Sequence, residues 1–345
     1  MKAHYLNIEA KVRKLEFQIA SLNDFELTDG DEVDSEIILS HNVSLYCFDD
    51  EAKEAIFVEL PQVVDLTTVP FVYDVQYNGA QRLIAVPYDA FRQIAQTLPP
   101  VGHLIMTYIS GRSGSTLLSH VFNEVEGVMS LSEPDVITQF VHLRGDTKDR
   151  DAELRELFDY TVRILFKPNP FKKPTIYALK FRMETVRAIE LFQATFPQAK
   201  NLYLYRDAVG FVASFYRFYK SVDIPEYFPL NDVLVMLGKG MKFDFMPKKD
   251  YFEPNSDPVS SVQFITFFWL MAIEWYLEKA TIGIPLLAVR YADFMASRKD
   301  VLAAIFEYCD LPVERASQPF KAFERDSQAG SALQRDDPKK GNKLQ

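Results

Sequence analysis

Cysteine is nearly missing from this chain of 345 residues: Cys47 and Cys309 stand alone, with no CxxC pair and no cysteine–histidine cluster. A disulfide framework and a structural zinc site are therefore excluded as the basis of the fold, and a reducing compartment is expected. A long apolar run is also lacking. The most apolar stretch, Val262–Ile273 (VQFITFFWLMAI), stops at Glu274 after about a dozen residues, whereas a bilayer span needs about 20. The opening MKAHYLNIEAKVRKLEFQIA interleaves charge with apolar residues and is no secretory signal, so a cytoplasmic chain without membrane contact is expected. Positive charge is in deficit: 38 Lys and Arg against 48 Asp and Glu leave a net charge of −10. Nucleic acid or a sulfated polymer would be repelled overall, so an anionic ligand has to be met by a local cluster of cations.

What is present fits a folded α/β chain. The length allows one large domain with an appendage, or two domains. Residues 1–35 read as a short helix (Ile8–Ile19) and an acidic turn, and 37–47 and 55–60 as strands. Tyr88–Thr97 reads as a helix stopped by Pro99 and Pro100. The proline pair marks the expected boundary between an N-terminal α+β appendage, 1–100, and a main domain, 101–345. Beyond it, strands Leu104–Ile109, Thr175–Leu179, Asn201–Tyr205 and Pro285–Val289 alternate with helical segments such as Thr116–Glu124, Glu184–Phe196, Val262–Lys279 and Asp300–Tyr308. That alternation predicts a parallel sheet with crossover helices, a three-layer α/β architecture.

The most informative feature is strand–SGRSGST–helix. Gly111 and Gly114 let the backbone wrap so that successive N–H groups face an anion on the helix N-terminus, with Arg112, Ser113, Ser115 and Thr116 as further donors. A nucleotide triphosphatase would need GxxxxGK[ST], and a dinucleotide fold GxGxxG; neither is present. A second element follows strand Asn201–Tyr205: Arg206, with Ser214 two helical turns further on. Two anion sites after two parallel strands point to a ligand with two separated phosphate-like groups.

These residues resemble the sulfotransferases that use 3′-phosphoadenosine-5′-phosphosulfate, a P-loop-like fold, over about Leu104–Leu333. The resemblance implies that Arg112–Thr116 hold the 5′-phosphosulfate and that Arg206 and Ser214 hold the 3′-phosphate. VRYADF, with Tyr291, resembles the family's late-strand motif. DSQAGSALQR, with Ser327 and Ser331, resembles its cofactor-closing loop. All five histidines lie at or before His142, away from the histidine-base pattern, and the loop carries Arg rather than Lys. The tyrosylprotein and carbohydrate branch is the nearer match. By that resemblance Glu133 is the general base, with Asp135 or His142 as alternatives, while Arg112 and Lys180 stabilise the sulfuryl group and the leaving oxygen.

The expected activity is sulfuryl transfer to a hydroxyl or amine of a small-molecule acceptor, without a metal. A carbohydrate or peptide sulfotransferase, a P-loop kinase-like enzyme and a non-catalytic nucleotide-binding protein are the alternatives. Arg217 is a further candidate for the 3′-phosphate or a surface residue. The aromatic stretches FVASFYRFY and FITFFWLMAIEWY are expected in the core, and the lysines of KPNPFKKP in a solvated loop.

Overall fold

The computed structural model describes residues 2–14, 18–145, 148–221, 225–235 and 257–329. Its first hundred residues build an antiparallel sheet from β1 (Lys2–Lys11), β2 (Phe25–Asp34), β3 (Val43–Asp49), β4 (Glu54–Glu59) and β5 (Arg82–Pro87), in the order β2-β1-β5-β4-β3. Helices α1 (Val72–Gly79) and α2 (Tyr88–Thr97) flank β5 in sequence. The expected helix at Ile8–Ile19 is a strand at its start, and the acidic turn is β2. The alternation of charged and apolar residues in β1 suits a pleat. Pairing on both sides, with β2 and with β5, outweighs any local helical preference.

The rest of the described chain forms β6 (His103–Ile109), α3 (Ser115–Asn123), β7 (Val128–Ser132), α4 (Asp135–Arg144), α5 (Asp151–Leu165), β8 (Ile176–Lys180), α6 (Ile189–Thr195), β9 (Lys200–Tyr205) and α7 (Ala208–Ser221). It continues through β10 (Tyr227–Phe228), α8 (Leu230–Val235), β11 (Val259–Ser260), α9 (Ser261–Thr281), β12 (Leu287–Arg290), α10 (Tyr291–Ala296) and α11 (Arg298–Tyr308). Strands β12-β9-β6-β8-β7 make a five-stranded, wholly parallel sheet. Neither β7 nor α4 is anticipated from the sequence: VMSLS is short, and two of its five residues are serine. Among the described residues no helix is long and apolar enough to cross a membrane.

Alternate residues of β6 face opposite layers. Ile105 and Ile109 pack with Leu118, Phe122, Ile305 and Phe306 from α3 and α11. Leu104, Met106 and Tyr108 belong to a larger core with Phe140, Phe158 and Phe192. That core also takes in Leu45, Phe57 and Ile84 from one face of the N-terminal sheet and Phe91 from α2. The other face, Tyr46, Ile56, Val58 and Leu83, packs with Leu6 and Phe25. Burial of this kind stabilises by about 25 cal/mol per Å² of apolar surface, so the two sheets are joined by the dominant folding force. Phe211, Phe264, Phe267 and Trp275 are buried, as expected of the aromatic stretches.

Two of the three lysines of KPNPFKKP depart from the solvated-loop expectation, while Lys173 is exposed. Lys167 is buried, its ammonium donating to the carbonyls of Ile38 and Val43. Lys172 Nζ donates to the Asn123 carbonyl at 2.7 Å and to Asn123 Oδ1 at 2.9 Å. Carbonyls left over at the ends of strands and helices need donors, and long lysine stems reach them across element boundaries.

Candidate active site

Parallel strands present their C-terminal ends on one edge, where open α/β sheets place ligand crevices. Here β6 leads into the SGRSG loop, β7 into Glu133, β8 ends at Lys180, β9 leads into Arg206 and β12 into Tyr291. Residues up to 179 positions apart in sequence thereby share one edge, since Tyr291 minus Arg112 is 179.

The loop after β6 is tightly wound. Gly111 (φ 83°), Arg112 (φ 51°) and Gly114 (φ 81°) all have left-handed backbone. A Cβ at Gly111 would stand 3.0 Å from the Phe211 ring, and one at Gly114 would stand 3.0 Å from the Tyr291 ring. Glycine at these two positions thus meets both a torsional and a steric demand. Gly114 is also the N-cap of α3 and contributes no side-chain cap, so it leaves the first N–H groups of the helix to other acceptors. Ser110 fastens the loop to β9: its N–H donates to Leu204 O at 2.9 Å, and its hydroxyl accepts from Arg206 N at 3.2 Å.

Arg112 Nε donates to Ser214 Oγ at 2.9 Å, and its NH1 donates to Gln328 Oε1 at 3.2 Å. Arg206 NH1 donates to Arg112 O at 3.3 Å, and its guanidinium lies 4.5 Å from the centre of the Tyr291 ring. Trp269 Nε1 caps the Arg206 carbonyl at 2.8 Å. The two anion motifs, read separately in sequence, therefore form one cluster. Tyr291 joins it through contacts with both the loop and Arg206. Arg217 is exposed on α7.

Beside this cluster lies a buried ion pair. Lys180 Nζ donates to Glu133 Oε1 and approaches Thr116 Oγ1 at 3.5 Å, while Glu133 N donates to Lys180 O at 2.7 Å. The side chains are 3% and 12% exposed, respectively. Burial lowers the Lys180 pKa from its usual range, with the Glu133 carboxylate opposing that shift. Glu133 also has left-handed backbone (φ 54°), which is uncommon for a non-glycine residue and tends to occur where geometry serves function.

The alternative bases are placed otherwise. Asp135 is fully buried, accepts from Arg182 NH2 at 2.8 Å and from Ala20 N at 2.9 Å, and has its carboxyl pushed up to about 6 by desolvation. It ties the N-terminal region to α4. His142 lies in the last turn of α4. In the C-terminal segment, the Ser327 carbonyl meets His120 Nε2 at 3.1 Å, and Ser331 lies outside the described residues.

Several neighbours were not anticipated from sequence. Gln328 binds Arg112. Phe71 places its ring centre 5.1 Å from Lys180 Nζ, and Tyr73 places its own 4.0 Å from the Arg182 guanidinium. For the cations a signal existed: Lys180 and Arg182 alternate at a strand end and so share a face. No local pattern marks Phe71, Tyr73 or Gln328.

A multiply anionic ligand fits these residues on two further observations. Among the described residues, Ser113 Oγ and Arg206 Nε are buried and have no hydrogen-bond partner, and both lie in the cluster built on the Arg112 loop and Arg206. Buried polar atoms without partners are costly and rare, and these two are a hydroxyl and a cation, donors suited to phosphate oxygens. Among the described residues no group of three or more His, Cys, Asp and Glu is arranged to hold a metal ion.

No protein-family model matches the chain, and no curated protein does. Among solved structures, the sulfotransferase STF9 from Mycobacterium avium is similar at 13% identity and a TM-score of 0.42, over 67% of this chain and 70% of that one. The sulfotransferase domain from the curacin biosynthetic pathway is similar at 15% identity and 0.40, over 70% and 85%. A sulfotransferase from Alicyclobacillus acidocaldarius is similar at 11% and 0.37, over 61% and 82%. Likeness of this degree leaves the chemistry to the residues themselves.

Proposed function

We propose that the chain moves a sulfuryl group from 3′-phosphoadenosine-5′-phosphosulfate to a hydroxyl or amine of a small-molecule acceptor, with Glu133 as general base. The observation that carries this reading is the convergence of the Arg112 loop, Arg206 with Ser214, and the Glu133–Lys180 pair at one edge of a parallel sheet. When bound, the donor would supply the sulfuryl group and a 3′,5′-bisphosphate leaving group.

The residues divide the work. Amides of Gly111–Thr116, with the hydroxyls of Ser113, Ser115 and Thr116, cradle the 5′ end on the α3 N-terminus. Arg206 and Ser214 supply donors for the second phosphate, and Tyr291 holds the Arg206 guanidinium face-on. Ser327 closes the edge from the C-terminal side. Arg112 and Lys180 neutralise charge that grows on the transferred group and on the departing oxygen. Preorganised cations with little exposure to water are effective because no solvent shell must rearrange. Glu133 accepts the proton that the acceptor loses as its new bond to sulfur forms and the bond to the bridging oxygen breaks. The net charge of −10 disfavours a polyanionic acceptor, which supports a small or uncharged one.

Calorimetry on the full chain with 3′-phosphoadenosine-5′-phosphate and with ATP tests the site. Radiolabelled sulfate transfer to phenols, sugars, amines and peptides tests the reaction. Binding of the bisphosphate in preference to ATP, followed by transfer, is expected. ATP binding without bisphosphate binding would overturn the reading.

A further inference from the structure

The segment Thr67–Tyr73 belongs to the N-terminal hundred residues, outside the stretch that resembles a sulfotransferase, yet it is built into the edge where Glu133 and Lys180 meet. Two hydrogen bonds fasten it there: Ser132 Oγ donates to Pro70 O at 2.6 Å, and Asn123 Nδ2 donates to Thr67 O at 2.7 Å. Ser132 is the residue before Glu133. Phe71 and Tyr73 then stack on each other, with centres 5.7 Å apart and planes at 30°. Two aromatic rings at alternate positions thus meet two cations at alternate positions: Phe71 faces Lys180 and Tyr73 faces Arg182.

We infer that Phe71 is a positioning residue for Lys180: its ring face holds the ammonium in place and in its charged form beside Glu133. This rests on the sulfuryl-transfer reading for its catalytic meaning, though not for its test. Lys180 has three N–H donors. One goes to Glu133, and the contact with Thr116 Oγ1 at 3.5 Å is long. The charged and titratable groups around it are Glu133 after β7, Arg112 after β6, Arg182 two residues on, and His120 on α3. Beyond Arg182 lie Asp135, Glu184 and Tyr73. Of the close neighbours, Arg112 and Arg182 disfavour the ammonium, as burial does, and Glu133 favours it. The negative face of an aromatic ring adds to the favourable side without adding a charge that could compete with Glu133 for a proton. The N-terminal region thereby supplies a ring to the surroundings of the Glu133–Lys180 pair.

The Lys180 ammonium can be titrated directly in the ligand-free full chain through its side-chain ¹³Cε resonance after ¹³C-lysine labelling, assigned with Lys180→Gln. Phe71→Leu should lower the midpoint by about half to one pH unit. Phe71→Tyr should restore it. Pentafluorophenylalanine at position 71 keeps the shape of the ring but reverses its quadrupole, and should lower the midpoint at least as far as leucine does. This last variant decides the matter if Phe71→Leu fails to fold. A midpoint that stays put with the fluorinated ring would overturn the inference and leave Phe71 a packing residue. Bisphosphate calorimetry on the unmodified chain is read separately: its failure removes the sulfuryl reading, whatever the lysine titration shows.

Discussion

The backbone N–H of Glu133 donates to the carbonyl of Lys180 at 2.7 Å, while the Lys180 ammonium donates back to Glu133 Oε1. Main chain and side chain therefore lock the same two residues, 47 positions apart, across the ends of β7 and β8. The first bond continues the parallel ladder one step past Ser132, whose Cα partner is Lys180. The second makes the carboxylate's position depend on a cation.

Replacing Glu133 by Gln should lower transfer by about 10²–10⁴-fold with bisphosphate affinity retained, the usual worth of general base catalysis. It also strips a largely buried lysine of its counter-charge. Removing one partner of a buried pair costs about 3–5 kcal/mol, whereas replacing both by apolar groups can be neutral. The double variant Glu133→Leu/Lys180→Met should therefore regain stability in urea unfolding, yet stay inactive. Wild-type turnover in Glu133→Gln would remove it as base.

Arg112→Ala should abolish transfer and weaken bisphosphate binding while the circular dichroism spectrum stays native. Ser214→Ala should weaken bisphosphate binding less, since it removes a single neutral hydroxyl, the acceptor of the 2.9 Å bond from Arg112 Nε. Equal losses in the two variants would mean that Ser214 acts only by orienting Arg112.

Gly114→Ala places a methyl group 3.0 Å from the Tyr291 ring on backbone with φ 81°. The torsion alone costs about 1–2 kcal/mol. Denaturant unfolding should show at least that loss, and bisphosphate affinity should fall. Adding Tyr291→Ala relieves the steric part and leaves the torsional part, so stability should recover only partly.

Lys167→Met should destabilise by about 2–4 kcal/mol, because the carbonyls of Ile38 and Val43 lose their donor in a buried site. Lys173→Met, on an exposed residue of the same loop, should stay within about 0.5 kcal/mol of wild type. Similar effects in the two would mean that the loop is uniformly solvated.

The Asp50 carboxyl is pulled down to about 2 by hydrogen bonds from Arg150, with Lys53 adding to the effect. A carboxylate with a lower value folded than unfolded adds stability above about pH 4 and loses it as pH falls toward 2. Arg150→Met should therefore lower stability at pH 7 and flatten its decline between pH 4 and 2. Parallel stability curves for the two proteins would show that the pair contributes nothing.

Legibility in the sequence followed the range of the interaction. Strand–SGRSGST–helix was readable because glycine torsions and helix capping are decided within a few residues. The strands of the parallel sheet were readable where apolar runs were long, as in β6 and β9, and not where they were short, as in β7. Within the N-terminal sheet, the strand character of β1 comes from partners on both sides rather than from its own composition, so local sequence does not reveal it. Glu133 was reached through resemblance and spacing, but its bond to Lys180 was not legible. Nor were the roles of Phe71, Tyr73, Gln328 and Lys167, each of which answers to a group far away in the chain.

The deficit of positive charge with which the sequence begins was also local information of a kind: it required that any anion site be built from a few placed cations. Sequence alone thus determined the residue types available, the glycine-wound SGRSG loop and the alternation that makes a parallel sheet. Tertiary structure decided which of them meet. Strand order brings the ends of β6, β7, β8, β9 and β12 to one edge, and only there do Arg112 and Ser214, Glu133 and Lys180, and Lys180 and Phe71 come within a few ångströms. Torsional and capping preferences act over neighbouring residues, whereas charge pairing and ring–cation contact act through space, and space is assigned by the packing of the whole chain.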